Sequence, residues 1–544
     1  MDNTFNNFGY WAETDSQAVF NPGDLVSAVA SLRESLFIVK HSKFQAIGLG
    51  FRGVHSNQPF DDRNGFPVIG MLPPLYPEWL GDRSFQETHN IRFSYVGGAM
   101  ARGIASAKLV IALAKNGCMG FFGSAGLNLT RLQSEIDTIK TALEPLGLSW
   151  GMNLIHTPKE PQLEFSIVDL YLKNGVKKIE AAAFMSLSTA IVYYAFKGLA
   201  KDNDGVIIRR NHVFAKISRP EVAIHFLSPV PGAILTELVN KGLLTAEEAE
   251  LGKNLPIAED ITIESDSGGH TDNRPLGPLF STIMQLRNEL CGKYNYTITP
   301  RLGVAGGLGT PSAIAAAYAL GAAYVCVGSV HQSCVESGVS DAAKKMLQTA
   351  GLADFSLTAC ADMFEQGVKV QVLKKGTMMP QRGNYLYKLY STYSGLESIP
   401  VSDITKLEKD IFRMPIATVW EQTERFFTEI EPSQVERAYT DSKHKMALIF
   451  RWYIGKSSQW PIQQVQDRQI DYQIWAGPAI GAFNQWVKGT FLEHVENRTV
   501  GTVALNLLEG AAIITRAHQL RSFGLNVPEK AFQYSPEQLQ ITSN

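Results

Sequence analysis

From residue 93 to residue 327 the chain repeats one beat, a short apolar strand followed by an amphipathic helix. The pattern predicts strands at 93–96, 119–122, 148–155, 178–183, within 206–218, and at 261–264, 301–305 and 324–327. Helices are expected at 101–116, 129–144, around 164–173, from about 187, and at 276–290 and 311–320. This beat constrains the fold more than anything else in the sequence. Parallel strands need a helical crossover between them, and those helices must cover the sheet they connect. Eight units over about 240 residues match an α/β fold of the (β/α)8 TIM-barrel kind. Alternation alone also allows an open doubly wound sheet. The count of eight favours the barrel, as do the glycine and polar residues at the C-terminal ends of the strands.

At 544 residues the chain exceeds one barrel. Residues 1–88 form an N-terminal α+β extension, 89–345 the barrel, and 346–544 a barrel-closing segment with a mostly helical C-terminal region. Between strands five and six an insertion at 219–260 carries a helical run over 233–250; at the active-site face it reads as a lid or substrate-shaping element, with a decorative excursion as the alternative. Gly48-Leu-Gly-Phe-Arg-Gly53 fits G-x-G-x-x-G literally but is rejected as a dinucleotide loop. Loop composition follows it over 55–65, where that fingerprint needs a helix.

The charge balance excludes one class of function. A net charge of −2 offers no basic face for nucleic acid. Five cysteines, odd in number and without a C-x-x-C pair, read as free thiols in a reducing compartment. The opening Met-Asp-Asn-Thr-Phe has no signal-peptide character, and no apolar run is seen approaching the roughly 20 residues of a membrane span. A cytoplasmic protein without a membrane partner is expected. No G-x-S-x-G elbow occurs, and the ten histidines other than His270 show no metal-ligand spacing, so neither hydrolase chemistry nor a metal site is expected.

Candidate chemistry gathers at the strand ends. Val304-Ala305-Gly306-Gly307 leads to Thr310-Pro311, a glycine turn before a good N-cap and a first-turn proline, which makes room for a phosphate. Gly328-Ser329 ends the next strand, and loops after strands seven and eight of a barrel together build a phosphate site. Gly97, Gly98 and Met100 follow strand one, where the absence of a side chain would let a flat ring approach. Asn153 puts an amide near the end of strand three. Gly268 and Gly269 precede His270, a titratable ring near neutrality. Asp266 and Asp272 flank that ring, either to orient it or to cap the loop.

These segments resemble the FMN barrels of the nitronate monooxygenase (2-nitropropane dioxygenase) and enoyl-acyl-carrier-protein reductase superfamily. The resemblance rests on Gly97-Gly98-x-Met100, Asn153, Gly268-Gly269-His270, Ala305-Gly306-Gly307 and Gly328-Ser329. Residues 265–275, 361–365 and 370–378 are similar to one branch, the PfaD family of trans-acting enoyl reductases in polyunsaturated fatty acid and polyketide synthases. The likeness extends over nearly the whole chain. It departs from the superfamily at Ser267 and at Thr271-Asp272.

The resemblance implies FMN held by the glycine turns, with NADPH or NADH as reductant. It implies an enoyl thioester on an acyl carrier protein as substrate, and His270 as proton donor or enolate stabiliser. A homodimer is compatible with it. It leaves a nitronate monooxygenase-type oxidase and a non-catalytic barrel partner of a synthase as alternatives. Carrier docking is expected at 219–260 or on the helical C-terminal part.

Overall fold

The computed structural model describes residues 8–41, 43–44, 46–60 and 65–539. The opening residues read for a signal peptide, and 61–64 of the loop read over 55–65, lie outside these. Eight parallel strands close into a barrel: β1 (Tyr95–Gly97), β2 (Met119–Phe122), β3 (Gly151–Ile155), β4 (Lys178–Ala182), β5 (His212–Ile217), β6 (Asp260–Glu264), β7 (Arg301–Ala305) and β8 (Tyr324–Val327). Neighbours follow chain order, and β8 pairs with β1 to close the ring. The expected barrel is therefore present. Val96, Met119, Phe121, Phe214, Tyr324 and Cys326 fill its interior, so it is a packed core and not a pore.

One expected helix begins late. Residues 101–104 turn with Arg102 (φ 59°) and Gly103 (φ 72°) in the left-handed region, and the helix runs only from Ala107 to Lys115. Ser106 caps it by accepting the Leu109 N–H. The residues between β1 and that cap are left as a loop on the rim.

The insertion after β5 is not a lid. The helix Pro220–Leu227 is the ordinary crossover back along the barrel, and the added helices Gly232–Asn240 and Ala246–Gly252 come after it. They pack at the N-terminal end of the strands. Glu248 accepts the Gly198 N–H (2.7 Å), and a Cβ on Gly252 would strike Phe196, the last residue of the helix descending from β4. The expected single helix over 233–250 is broken at Lys241–Thr245, where Gly242 has φ 67°.

That same N-terminal end is plugged by the helix Arg83–His89, with Phe85 stacked on Tyr324 at 4.3 Å between ring centres. Beside it Asp260, fully buried, accepts from His89 Nε2 (2.9 Å) and from Arg301 Nε (2.7 Å) and Nη2 (3.0 Å). Burial opposes the Asp260 charge, but His89 and Arg301 prevail and hold this carboxyl well below its usual range.

The residues before the plug form a five-stranded antiparallel sheet in the spatial order Ile47–Gly50, Leu36–Lys40, Gly65–Leu72, Tyr10–Ala12, Val54–Ser56. Gly50 ends a strand there and no helix follows, in keeping with the rejection of the dinucleotide fingerprint.

No long crossover helix directly follows β8 among the described residues. Short helices Ser329–Gln332 and Asp341–Gln348 lead away from the ring. The eighth position is taken by Val500–Ser522, which packs against the helices following β7 and β1. This is a helix long and apolar enough to cross a membrane, contrary to the reading that no such run exists; 89% of its apolar window is buried inside the fold, as in a core helix. Arg33 pairs with Glu509 on it, and the buried Arg516 donates to the carbonyls of Ser31, Glu34 and Pro73, tying it to the N-terminal extension.

Between these elements a three-stranded antiparallel sheet sits at the C-terminal rim of the barrel. Its strands are Gly269–His270, Lys369–Leu373 and Phe355–Ala359. A bundle of helices over 401–463 follows.

Candidate active site

The closed strand order sets β6, β7, β8 and β1 side by side, so the glycine turns share one rim. Gly306 (φ 87°) must be glycine: a Cβ there would lie 2.6 Å from Ser265 Oγ and 2.7 Å from the Asp266 carbonyl. Gly307 (φ 71°) and Gly328 differ, since a Cβ on either would meet nothing within 4 Å. They border open space next to the backbone, as an anion cradle requires. Thr310 caps the helix Pro311–Ala319 by accepting the Ala313 N–H (3.3 Å), with Pro311 in its first turn, as the residue types predict.

On the neighbouring strand β1, Gly97 is the last residue of the strand and not after it, and a Cβ on Gly98 would come 2.8 Å from Cys326 Sγ of β8. Met100 is partly buried, and its carbonyl accepts the Ala105 N–H (3.1 Å). Ala305 closes β7, buried in the barrel interior. Asn153 is buried and donates its amide to the Glu180 carbonyl (2.9 Å), which spends that group on the neighbouring strand.

A segment from far along the chain completes the rim. Gly477 N–H donates to Ser329 Oγ (3.0 Å), and a Cβ on Gly268 would lie 2.6 Å from Ala476 Cα. A Cβ on Gly309 would come 2.0 Å from the Ala479 carbonyl. Gly309→Val should therefore push residues 474–479 off the rim, at a cost of about 1–3 kcal/mol. Hydrogen exchange should find those amides less protected while the β2–β4 amides keep their protection. Equal exchange in both proteins would mean that the contact is not needed.

The upper layer of the barrel interior is charged. Lys216 Nζ at the end of β5 lies 3.3 Å from Glu264 Oε1 and 4.0 Å from Glu180 Oε2. Glu180, with 1% of its side chain exposed, accepts the Ala99 N–H (3.1 Å) and faces the Cys326 thiol. Burial raises Glu180 above the ordinary carboxylate range against the pull of Lys216. For Lys216 burial opposes the charge, but Glu264 and Glu180 outweigh it and keep the ammonium charged. Ser267, a departure from the superfamily pattern, donates to Glu264 Oε1 (3.1 Å) and so joins this layer. Buried charge is costly without a role. The signal for these residues lay in the sequence, as charges within or at the ends of apolar strands.

His270 stands above this layer, its side chain 51% exposed. Neither flanking aspartate orients it. Asp266 accepts from Asn273 Nδ2 (2.7 Å) and Gln371 Nε2 (2.8 Å), and Asp272 from Ser218 and Arg219, so both hold the loop. The partner is Asp362, whose Oδ2 lies 3.4 Å from His270 Nε2. Burial works against the imidazolium, yet Asp362 outweighs it and raises the ring's pKa above its ordinary value. Burial likewise opposes the Asp362 charge, and His270 draws that carboxyl down to about 2. The Cys360 thiol, pushed up to about 12 by burial, lies beside both.

Polar groups thus converge from β4, β5, β6 and β8 on the C-terminal rim, which is how barrel enzymes are built. The nitronate monooxygenase family model matches residues 83–385. That of the inserted helical domain of acyl-carrier-protein S-malonyltransferase matches 393–472. The chain is 44% identical over 468 residues to one of the polyunsaturated fatty acid synthase subunits of Thraustochytrium sp., covering 84% of this chain and 31% of that protein. It is 41% identical over 437 residues to polyketide biosynthesis protein PksE of Bacillus subtilis, covering 80% of this chain and 56% of that one. A solved structure, the enoyl reductase domain of MlnA from the macrolactin cluster of Bacillus amyloliquefaciens, matches with a TM-score of 0.78 at 37% identity. That match covers 82% of this chain and 99% of the domain. The chain belongs to the nitronate monooxygenase family, in its PfaD-like branch. It spans about a third and about half of these two curated relatives' lengths.

Proposed function

We propose that the chain is an FMN-dependent enoyl reductase. It would take reducing equivalents from NADPH or NADH and saturate the 2,3 double bond of an enoyl thioester. The observation that carries this reading is the match, over 99% of its length, to a solved domain described as an enoyl reductase. The substrate would arrive on an acyl carrier protein of a fatty acid or polyketide synthase, with this chain acting in trans. Likeness to components of such synthases supports that partner, and so does the helical segment over 393–472. The work would take place in the cytoplasm, where the five cysteines, free in the structure, stay reduced.

The rim fits the cofactor. Open space beside Gly307 and Gly328 suits a phosphate, and Ser329 and the helix beginning at Pro311 flank it. Gly98 leaves its backbone bare beside Cys326, whereas the missing side chain of Gly97 makes room for Leu113 of the following helix. When bound, FMN would supply a carrier that accepts hydride from the nicotinamide and yields it to the β-carbon of the enoyl group.

The chain's own residues do the rest. Lys216 fixes a positive charge on the barrel axis, held in place by Glu264 and Glu180. His270, aligned by Asp362, delivers a proton from its ring nitrogen to the α-carbon. The small sheet and residues 474–479 cover part of the rim.

The test is optical. The purified protein should be yellow or become so with FMN; NADPH should bleach it without oxygen, and a crotonyl thioester should restore the colour. A colourless protein that cannot be reconstituted would sink the reading. Oxygen uptake on a nitroalkane, without enoyl reduction, would replace it with the oxidase for which the family is named.

A further inference from the structure

We propose that His270, Cys360 and Asp362 form a binding site for a divalent transition-metal ion, Zn²⁺ foremost, at the mouth of the barrel. A nitrogen, a thiol sulfur and a carboxylate oxygen from these three residues all lie within 4.8 Å of one another. They are carried by, or directly follow, strands of one small sheet. Gly269–His270 pairs with Gln371 and Val370, while Cys360 follows the strand Phe355–Ala359 and donates its N–H to the Val368 carbonyl (3.1 Å). Backbone pairing therefore holds His270 and Cys360 in place before any ion arrives, and Asp362 follows two residues after Cys360.

The spacing accommodates an ion as well as the ion pair. The 3.4 Å between His270 Nε2 and Asp362 Oδ2 is long for a charge-assisted hydrogen bond, which runs at about 2.7–2.9 Å. It is close to the edge of a tetrahedron whose metal bonds are about 2.0–2.1 Å, roughly 3.3 Å. A mixed nitrogen, sulfur and oxygen set suits Zn²⁺ and disfavours Mg²⁺ or Ca²⁺, which prefer oxygen throughout. Cys360 is buried, whereas the other two side chains are more than half exposed, so the cluster is backed by protein and open on one side. Three protein ligands with an open fourth position is the build of an exchangeable zinc site.

On binding, the Cys360 S–H bond breaks, an S–Zn bond forms and the proton passes to water. No electron is transferred. A ring bound to the ion cannot take the second proton that makes it an imidazolium acid, so a loaded site slows turnover. That second half rests on the reductase reading; the binding half does not.

The experiment uses the full chain, stripped with chelator and titrated with Co²⁺. Tetrahedral Co²⁺ bound to a thiolate should show intense long-wavelength bands, clear of flavin absorption, saturating at one ion per chain and displaced by Zn²⁺. Cys360→Ser should lose the intensity and weaken Zn²⁺ binding at least tenfold. His270→Gln, at an exposed position, should weaken it too, and Cys291→Ser should change neither. Absence of the bands, or their survival in Cys360→Ser, overturns the site. Zn²⁺ should reversibly slow crotonyl-thioester reduction by the wild-type protein; bands with undiminished turnover overturn the inhibitory half. A chain that reduces no thioester but shows the bands keeps the site and loses the reductase reading.

Discussion

Gly307→Asp should leave the barrel folded and, on the flavin reading proposed above, abolish its affinity for FMN. The Cβ has open space around it, so the substitution causes no clash. The cost in the folded chain is that of a left-handed φ of 71°, about 1–2 kcal/mol, and aspartate tolerates that region better than most residues. A carboxylate facing a phosphate is another matter. Two like charges ~4 Å apart cost about 4 kcal/mol at an effective dielectric near 20, roughly a thousandfold in affinity. Fluorescence titration of apoprotein with FMN measures this directly. Gly307→Ala, uncharged and somewhat more strained at this φ than aspartate, should bind within about tenfold of wild type. If the aspartate variant keeps wild-type affinity, the phosphate does not lie at this turn.

Asp260→Ala should cost the most stability of any single change at the other end of the barrel. It would leave Arg301 and His89 buried without their shared carboxylate. Breaking a buried pair in this way typically costs about 3–5 kcal/mol. The urea midpoint should fall accordingly while the rim keeps its ligand properties in whatever fraction stays folded. The cluster also gives stability a pH dependence of known sign. Burial holds the His89 pKa below its ordinary value, so below about pH 6.5 the unfolded chain takes up a proton that the folded chain refuses. Asp260 is depressed too, so a second loss begins below about pH 4 and continues downward. Stability should therefore fall in two steps on acidification. Asp260→Asn should remove the lower one; an unchanged lower step would assign it to other carboxylates.

The barrel was legible in the sequence because each strand is buried on both faces and therefore reads as an unbroken apolar run. The glycine turns were legible for a related reason. Gly306 has no alternative, since backbone and Ser265 occupy the place of its side chain. What stayed hidden depends on distance along the chain. Asp362 and Cys360 reach His270 only through the pairing of Gly269–His270 with Lys369–Leu373, which no local pattern announces. Asp266 and Asp272 were nearer in sequence and do other work. The charges at 180, 216 and 264 were visible one at a time, but only closure of the ring makes them neighbours. The insertion was placed at the wrong end because its first helix is the crossover itself, which carries the extra helices to the far face.

The helix Val500–Ser522 has a consequence for biosynthesis. A ribosome releases β1 to β8 long before it releases the helix that fills the last gap in their ring. Until residue 522 has emerged, the helices after β7 and β1 keep an apolar face uncovered, and Arg33 and Arg516 lack the contacts that join the two ends of the chain. Folding of this barrel cannot finish vectorially. The nascent protein must hold a nearly complete, sticky intermediate through the synthesis of the whole helical bundle, and a fragment ending near residue 345 should be recovered only as aggregate.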